Sequence, residues 1–337
     1  MITEIIQKLI DGRDLSESEA RGVMEEIMTG GATDAQIAAF LTALRMKGET
    51  LDEVVGFASV MREKATTLWD GERLEVLDTC GTGGDRSGTF NISTVAAFVA
   101  AGAGARVAKH GNRAASSQCG SADVLEALGV NIQMSPAELR HCLAEVGIGF
   151  LFAPNFHQSM KYVIPARKQM AIRTVFNMLG PLANPAGATF QVIGVYSEAL
   201  LDLMAGAVDR LGVRRAFVVH GQDGVDEITL SAPTDVVEVN EGNKRRFRIE
   251  PEEFGVERAG PATLKGGDAA TNARIAQDVL AGESGPRRNV VLINAAAAIA
   301  AAGLATDLVE GFRLAAGSID SGAARLKLDQ LKAFRSA

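Results

Sequence analysis

The sequence predicts an α/β protein in which a small all-helical N-terminal domain precedes a larger α/β domain with a mostly parallel central sheet. Residues 1–72 carry helix-start signals and helical spacing, and no strand pattern interrupts them. From residue 74 onward, short apolar segments alternate with helical ones. Strands that alternate with helices form largely parallel sheets with helices on their faces. We therefore expect domains at 1–72 and 73–337.

Three capping boxes mark helix starts in the first domain. In a capping box a hydroxyl side chain accepts a backbone N–H three residues further on, and a Glu or Gln there reaches back to the first residue's N–H. The stretch 37–44 also repeats apolar residues at helical spacing, which predicts one buried stripe. The three boxes are Ser16 with Glu19, Thr33 with Gln36, and Thr50 with Glu53.

The second domain is expected to begin with a strand at 74–78 that runs into a glycine-rich loop. Further strands are expected at 106–109, 150–152, 191–196 and 216–220, with a hairpin at 236–239 and 245–249. The segment 157–182 has helical spacing but is broken by Pro165 and by Gly180-Pro181, so it predicts short helices. We expect this long excursion between two strands to pack back on the helical domain.

Composition and charge exclude several classes of protein. Apolar residues at 47% and charged residues at 22% exclude intrinsic disorder. The net charge of -7 argues against a nucleic-acid partner, which normally needs a basic face. No apolar run reaches the roughly 18 residues of a membrane span, and the N-terminus lacks the pattern of a signal peptide, so we expect a cytoplasmic protein with no membrane partner. Structural zinc is not expected, because Cys80, Cys119 and Cys142 form no CxxC pair.

The glycine-rich loop after the first predicted strand is Gly81-Thr82-Gly83-Gly84-Asp85. Glycines there let the backbone turn tightly and point its N–H groups at an anion, and the following helix adds the positive end of its dipole. Asn91-Ile92-Ser93-Thr94 adds polar side chains at that helix start. The loop therefore predicts a phosphate cradle, with a tight turn that binds nothing as the alternative. It is not a dinucleotide fingerprint, because Arg86 stands where a glycine is needed, and no G-K-[ST] of a Walker loop occurs.

Two further loops follow predicted strands, at the edge of the sheet where α/β proteins bind ligands. The loop 109–117 carries two cations and two serine hydroxyls that suit phosphate oxygens, although solvated surface charges are the alternative. In the other loop, the adjacent carboxylates Asp226 and Glu227 suit Mg²⁺, which takes one or two carboxylates and leaves room for substrate phosphates. On that pair alone, an ordinary acidic turn is the simpler interpretation.

Taken together, these motifs resemble those of the anthranilate phosphoribosyltransferases, in order along the whole chain. The resemblance is carried by the glycine loop, Asn91-Ile92-Ser93-Thr94, Lys109-His110-Gly111-Asn112-Arg113, residues 120–129, residues 173–182 and Asp226-Glu227-Ile228-Thr229. It implies a homodimer with an active site in the cleft between the two domains. It also implies a pentosyl-transferring glycosyltransferase that joins phosphoribosyl pyrophosphate (PRPP) and anthranilate, with Mg²⁺. Direct displacement would give N-(5-phosphoribosyl)anthranilate and pyrophosphate, the second step of the tryptophan branch from chorismate.

The resemblance further implies roles for individual residues. Anthranilate carries a carboxylate, which an Arg can bind through two parallel hydrogen bonds. Its implied contacts are Gly81, Asn112 and Arg167, with His110 nearby. Ser93, Asp226 and Glu227 would hold Mg²⁺, with two ions in each active site. The implied PRPP contacts are Gly81, Gly84, Asp85, Thr89, Asn91, Ile92, Ser93, Thr94, Lys109, His110, Gly111, Asn112, Arg113, Ala114, Ala115, Ser116, Ser117 and Ser121.

Two other functions remain open at the level of the sequence. Pyrimidine nucleoside phosphorylases share the architecture but cleave a nucleoside with phosphate in place of PRPP. The Asp226-Glu227 pair and the Asn91-Ile92-Ser93-Thr94 helix start favour the transferase. A non-catalytic relative that binds nucleic acid is disfavoured by the net charge of -7 and by the intact acidic pair.

Overall fold

Four helices form the start of the chain in the computed structural model, which describes residues 1–114 and 118–335. They are α1 (Ile2–Ile10), α2 (Glu17–Met28), α3 (Asp34–Lys47) and α4 (Leu51–Lys64). All three predicted capping boxes are present, at the starts of α2, α3 and α4. At the first, Ser16 Oγ accepts the Glu19 N–H at 3.3 Å and the Glu19 carboxylate accepts the Ser16 N–H at 2.8 Å. Each box satisfies N–H groups that a helix start leaves without an intrahelical partner.

The next part of the chain alternates strands and helices, as predicted. Its elements are β1 (Leu77–Thr79), α5 (Ile92–Gly102), β2 (Val107–Gly111), α6 (Ser121–Ala127), α7 (Pro136–Glu145) and β3 (Ile148–Phe152). The first strand begins at Leu77, three residues later than the predicted 74–78. It begins there because both neighbouring strands offer their first partners, Val107 and Phe190, opposite Leu77.

Short helices follow β3 and fill the segment, but the expected break at Gly180-Pro181 is wrong, because the last of these helices includes both residues. They are α8 (Ala153–Phe156), a 3-10 turn at Gln158–Tyr162, α9 (Ile164–Met170) and α10 (Phe176–Leu182). Pro165 falls in the first turn of α9, where the missing N–H of proline costs no helical hydrogen bond. Val163, Ala166 and Leu179 are buried in the same apolar core as α1–α4. The segment therefore lies against the helical domain, with α9 on α3 and α10 on α4.

The remaining strands complete one sheet, and helices follow it. They are β4 (Phe190–Gly194), α11 (Leu201–Arg210), β5 (Arg215–Gly221), β6 (Thr234–Asn240), β7 (Asn243–Ile249), α12 (Ala269–Leu280), α13 (Pro286–Ala301), α14 (Leu308–Asp320) and α15 (Ala323–Ala333). The strand order is β3-β2-β1-β4-β5-β6-β7, parallel through β5 and antiparallel beyond it. The predicted fold class and the predicted hairpin are confirmed. Within residues 1–114 and 118–335, no helix has both the length and the apolar character needed to cross a membrane.

The strand order reverses at β1, which lies between β2 and β4. At such a reversal the connections on the two sides leave in opposite directions, which opens a crevice at the carboxyl ends of the strands. The glycine loop leaves β1 at this point. The topology therefore puts the predicted phosphate cradle at the edge of the sheet that binds ligands in α/β proteins.

One apolar core joins the helical domain to a face of the sheet, since Ile193 of β4 and Val218 of β5 pack with the helices. Arg62 of α4 crosses this junction. Its Nε donates to the Leu182 carbonyl at 2.6 Å and its Nη1 to the Leu211 carbonyl at 2.9 Å. These carbonyls lie at the ends of α10 and α11, so one guanidinium satisfies two helix ends. Burial lowers the pKa of Arg62 to about 10, which leaves it charged at neutral pH.

We expect Arg62→Met to lower the free energy of unfolding by about 3 kcal/mol, because two carbonyls lose a charged donor. Thermal and urea unfolding measure the change. The control is Arg13→Met, which removes only an exposed ion pair with Asp11 and should change stability by less than about 0.5 kcal/mol. Equal effects of the two substitutions would contradict the bracing role of Arg62.

Candidate active site

The glycine loop turns directly over the acidic pair. The Gly83 N–H donates to Asp226 Oδ2 at 2.7 Å. A Cβ at Gly81 would lie 2.5 Å from that oxygen, and a Cβ at Gly194 would lie 1.5 Å from the Asp226 carbonyl oxygen. At Gly194 the obstacle is backbone, so glycine is required there, whereas a side chain at Gly81 would displace the Asp226 carboxylate. Two motifs far apart in the sequence therefore form one site.

Glu227 is bound at the start of α5. Its Oε1 accepts the Ser93 N–H at 3.1 Å, and Thr79 Oγ1 donates to the Ser93 carbonyl at 3.0 Å. A carboxylate is stabilised at a helix start by the free N–H groups and by the positive end of the dipole. Asp226 and Glu227 therefore accept hydrogen bonds from N–H groups of the glycine loop and of the α5 start. From the sequence alone, the N–H groups of this region are expected to bind a phosphate.

The carboxylates of this site are held close together in spite of their charge. Burial and the nearby Asp85 carboxylate raise the pKa of Asp226, and burial together with the charge of Asp226 raises the pKa of Glu227 to about 8. The Asp226 N–H lies 3.5 Å from Asp85 Oδ2, so a third carboxylate borders the pair. Like charges this close disfavour ionisation of each other, and a cation relieves that cost.

Mg²⁺ fits the groups present. It prefers oxygen ligands, takes one or two carboxylates, and completes its shell with waters and substrate phosphates. Asp226 and Glu227 would supply the carboxylates, and Ser93, whose N–H binds Glu227, would supply a hydroxyl. Among the described residues, no three His, Cys, Asp or Glu side chains surround a common point as a closed metal cage would. Two carboxylates and one hydroxyl would leave positions in the Mg²⁺ shell for an anionic ligand.

Lys109 of β2 reaches the end of β1, where the glycine loop begins. It is only 4% exposed, and its ammonium donates to the Thr79 carbonyl. Burial raises the pKa of Asp78 to about 6, and the Lys109 charge opposes that rise there and at Glu227. Asp78 also accepts a hydrogen bond from Asn184 Nδ2 at 2.8 Å. The charge of Lys109 therefore compensates the carboxylates of Asp78 and Glu227.

Asn91 is oriented from two sides. Its Oδ1 accepts a hydrogen bond from Asn272 Nδ2 at 2.9 Å, and its Nδ2 donates to the Cys119 carbonyl at 3.2 Å. One Nδ2 hydrogen is left for a ligand. The next predicted contacts, Ile92 and Thr94, are both buried.

The outer part of the glycine loop is held by residues that the sequence analysis did not assign. The Gly84 carbonyl, at a residue with φ of 78°, accepts a hydrogen bond from the Arg173 guanidinium. That guanidinium lies 4.4 Å from the centre of the Tyr196 ring. Thr89 pairs with Lys265 in an antiparallel bridge. Arg173 is the first residue of the motif 173–182, so the sequence did mark it. The motif does not show that Arg173 binds the Gly84 carbonyl.

The loop after β2 is braced by α6. Arg113 pairs with Glu126 at 2.8 Å and with Asp123 at 3.0 Å, which raises the pKa of Arg113. Ser121 Oγ donates to the Asn112 carbonyl at 3.3 Å. The charge of Arg113 is therefore shared with two acids and is not left free for phosphate. The predicted contacts Ala115, Ser116 and Ser117 lie outside the described residues.

Two neutral histidines meet where β2 faces the segment 157–182. His110 Nδ1 lies 3.2 Å from the Gly180 carbonyl, and the His110 and His157 ring centres are 5.2 Å apart. Both Nε2 atoms are buried without a hydrogen-bond partner in the part of the chain described. Burial lowers the pKa of His110 to about 3 and that of His157 to about 4. The sequence analysis gave His157 no role in the site. The one feature that could have pointed to it is its position at the start of the segment 157–182.

Arg167 lies on α9 and has no ion pair with any described residue. Its guanidinium lies 5.2 Å from the centre of the Phe176 ring, and burial lowers its pKa. A partly buried cation without a counter-ion suits a ligand carboxylate. No described contact joins Arg167 to Asn112, whose Oδ1 accepts the Arg113 N–H at 2.8 Å. These two predicted anthranilate contacts thus belong to separate elements.

We expect Glu227→Gln to raise the thermal midpoint at pH 9 when no divalent cation is present. The pKa of Glu227 is about 8 in the folded protein, against an ordinary value of 4.5. Ionisation therefore opposes folding: the cost is absent below pH 4.5, grows as the pH rises to 8, and is complete above it. A glutamine removes this charge and still accepts the Ser93 N–H. Thermal unfolding between pH 5 and pH 9 measures the difference.

The control for this measurement is Glu138→Gln. The Ser135 N–H lowers the pKa of Glu138 in a capping box, so this substitution should not raise stability at any pH. If Glu227→Gln is less stable than the parent protein at pH 9, the Glu227 charge does not oppose folding.

Comparison with known proteins gives matches along almost the whole chain. Residues 3–65 match the glycosyl transferase family helical bundle domain, and residues 73–325 match the glycosyl transferase family a/b domain. The anthranilate phosphoribosyltransferase of Chloroflexus aggregans is 56% identical, over 98% of this chain and 97% of its own. That of Geobacter sulfurreducens is 53% identical, over 98% of both chains.

Solved structures agree with these matches. The anthranilate phosphoribosyltransferase of Thermus thermophilus superposes with a TM-score of 0.92 at 45% identity, over 98% of both chains. The Saccharomyces cerevisiae enzyme, in complex with PRPP and Mg, superposes with a TM-score of 0.89 at 29% identity, over 98% of this chain and 96% of its own. The chain therefore belongs to the glycosyl transferase family, as one of its anthranilate phosphoribosyltransferases.

Proposed function

We propose that this protein transfers the phosphoribosyl group of PRPP to the amine of anthranilate, releasing pyrophosphate, as the second step of the tryptophan branch from chorismate. The observation that carries the proposal is the acidic pair packed against the N–H groups of the glycine loop and α5. This arrangement suits a pyrophosphate group that arrives with a divalent cation. Relatives that share the fold bind PRPP with Mg, and 4-fluoroanthranilate.

Mg²⁺ would be held by Ser93, Asp226 and Glu227, with two ions in each active site. When bound, it would neutralise the charge that leaves with pyrophosphate. The Asn91 amide, which is oriented before any ligand arrives, would bind a phosphate oxygen, together with N–H groups of the glycine loop other than that of Gly83, which binds Asp226. Preorganised donors of this kind stabilise developing charge without further rearrangement.

The chemistry needs no strong base. The anthranilate nitrogen already carries a free lone pair, so it attacks the anomeric carbon directly while the bond from that carbon to the pyrophosphate oxygen breaks. The nitrogen then loses a proton to solvent. Neutral His110 and His157 add no positive charge that would oppose an oxocarbenium-like transition state. Arg167, which has no ion pair with a described residue, would bind the anthranilate carboxylate with help from Asn112.

Anthranilate fluorescence tests the reaction, and its loss should require both PRPP and Mg²⁺. We expect Lys109→Ala to lower kcat by about 10²- to 10³-fold, the typical cost of losing one charge-stabilising group, because the Glu227 carboxylate would lose the positive charge that compensates it. Glu227→Ala should cost as much or more. Lys244→Ala is the control, since Lys244 is exposed on β7 and paired with Asp209. Fluorescence that never falls, or near-normal kcat in both variants at saturating Mg²⁺, would contradict the proposal.

We also propose a homodimer, in a cytoplasmic location and without a nucleic-acid partner. Exposed apolar side chains on three adjacent helices support a second copy as the partner. Ile10 on α1 is 65% exposed, Met46 on α3 is 83% exposed and Ile164 on α9 is 42% exposed. Both α1 and α9 contact α3. Apolar side chains exposed on neighbouring helices favour a subunit interface there.

Light scattering coupled to gel filtration tests the dimer. We expect a mass of two chains for the parent protein and of one chain for Met46→Glu, because a carboxylate would be buried without a partner. Leu326→Glu, on the exposed side of α15, is the control and should remain dimeric. A single-chain mass for the parent protein would contradict the proposed interface.

A further inference from the structure

Asn294 is a buried amide directly behind the acidic pair. It lies on α13, where residues 290–301 are all buried, and it is the one polar side chain in that run. It is 3% exposed. An amide side chain in an apolar helix costs free energy unless each of its polar atoms is satisfied. Its position therefore calls for a specific partner.

That partner is the backbone of Ile228. Asn294 Oδ1 accepts the Ile228 N–H at 3.0 Å, and Asn294 Nδ2 donates to the Ile228 carbonyl at 2.8 Å. The other Nδ2 hydrogen goes to the Val290 carbonyl at 2.8 Å. Asn294 thus binds both backbone groups of Ile228, the N–H and the carbonyl, as the backbone of a neighbouring strand would. The chain needs this here because it has left β5 at Gly221 and enters β6 only at Thr234.

Ile228 directly follows Glu227, so both peptide groups that flank Ile228 are held by one rigid helix. Asn294 and Glu227 line the same small cavity at the end of β1, together with Ser93 and Gly81. Asp226 has other braces, since Gly83 binds its carboxylate and Gly194 packs on its carbonyl. For Glu227, the described contacts are the Ser93 N–H at the carboxylate and Asn294 through the next residue.

We propose that Asn294 is a positioning residue for the divalent cation, because it sets the direction of the Glu227 carboxylate through the Ile228 backbone. This inference rests on the proposed function, which assigns Mg²⁺ to Glu227. Asn294 itself touches neither cation nor substrate in this role. Groups that orient a metal ligand typically contribute about 10- to 100-fold to metal affinity.

The rival interpretation is that Asn294 only stabilises the core. The two differ in what a substitution changes. A purely structural amide changes the thermal midpoint and leaves the response to Mg²⁺ as it was. A positioning amide also shifts the Mg²⁺ concentration that the site requires.

The test compares Asn294→Leu and Asn294→Ser with the parent protein, by thermal unfolding at fixed pyrophosphate while Mg²⁺ is titrated. Leucine has a similar volume but satisfies neither group of Ile228. Serine is the milder variant, because its hydroxyl keeps one hydrogen bond within reach and so favours folding. We expect the half-maximal Mg²⁺ concentration to rise by about 10- to 100-fold for leucine and by less for serine. Turnover in both variants should recover at high Mg²⁺.

The matched control is Ser318→Ala. Ser318 is also buried, and its Oγ donates to the Val99 carbonyl at 2.8 Å at the far end of α5. It should lower the thermal midpoint with no change in the Mg²⁺ response. A parental Mg²⁺ response in both Asn294 variants would overturn the inference and leave the proposed function intact. If Mg²⁺ does not stabilise the parent protein at all, the magnesium assignment fails, and the inference fails with it.

Discussion

Asp226 is buried and Glu227 is partly buried, and the need of these carboxylates for hydrogen-bond donors organises the parts around them. Asp226 is bound by the Gly83 N–H and Glu227 by the Ser93 N–H, so the turn after β5 is tied to the glycine loop and to the start of α5. A side chain at Gly81 would displace the Asp226 carboxylate. Because the pKa values of both acids are raised, the folded protein keeps a site that a cation would make more stable.

The positions of these groups depend on the order of the strands. The reversal at β1 brings the glycine loop, the end of β4 and the turn after β5 to one edge of the sheet. The helical domain is held to the same sheet by a continuous apolar core and by Arg62, which satisfies the ends of α10 and α11. The segment 157–182 therefore faces the loops on a fixed support. Its contacts with them are polar, through Arg173 to Gly84 and His110 to Gly180.

Features that depend on neighbours in the sequence were predictable. The capping boxes and the hairpin follow from residues a few positions apart, and their contacts are local. Directions of long side chains were not predictable in this way. The sequence suggests that Lys109 is a cation beside a phosphate loop, but its side chain is buried, because the Thr79 carbonyl and the Asp78 carboxylate stabilise its charge there. Arg113 pairs with acids that α6 brings beside it.

The sequence by itself determined the two kinds of domain, the glycine loop, the acidic pair and the family. Each of these is recognised from motifs whose residues are close along the chain. Only the tertiary structure decided three contacts. The glycine loop donates a hydrogen bond to Asp226, His157 packs against His110, and Asn294 binds the backbone next to Glu227. These contacts join residues tens of positions apart or more. They exist because the strand order and helix packing bring their backbones within hydrogen-bond distance, and that is a property of the fold that no local pattern contains.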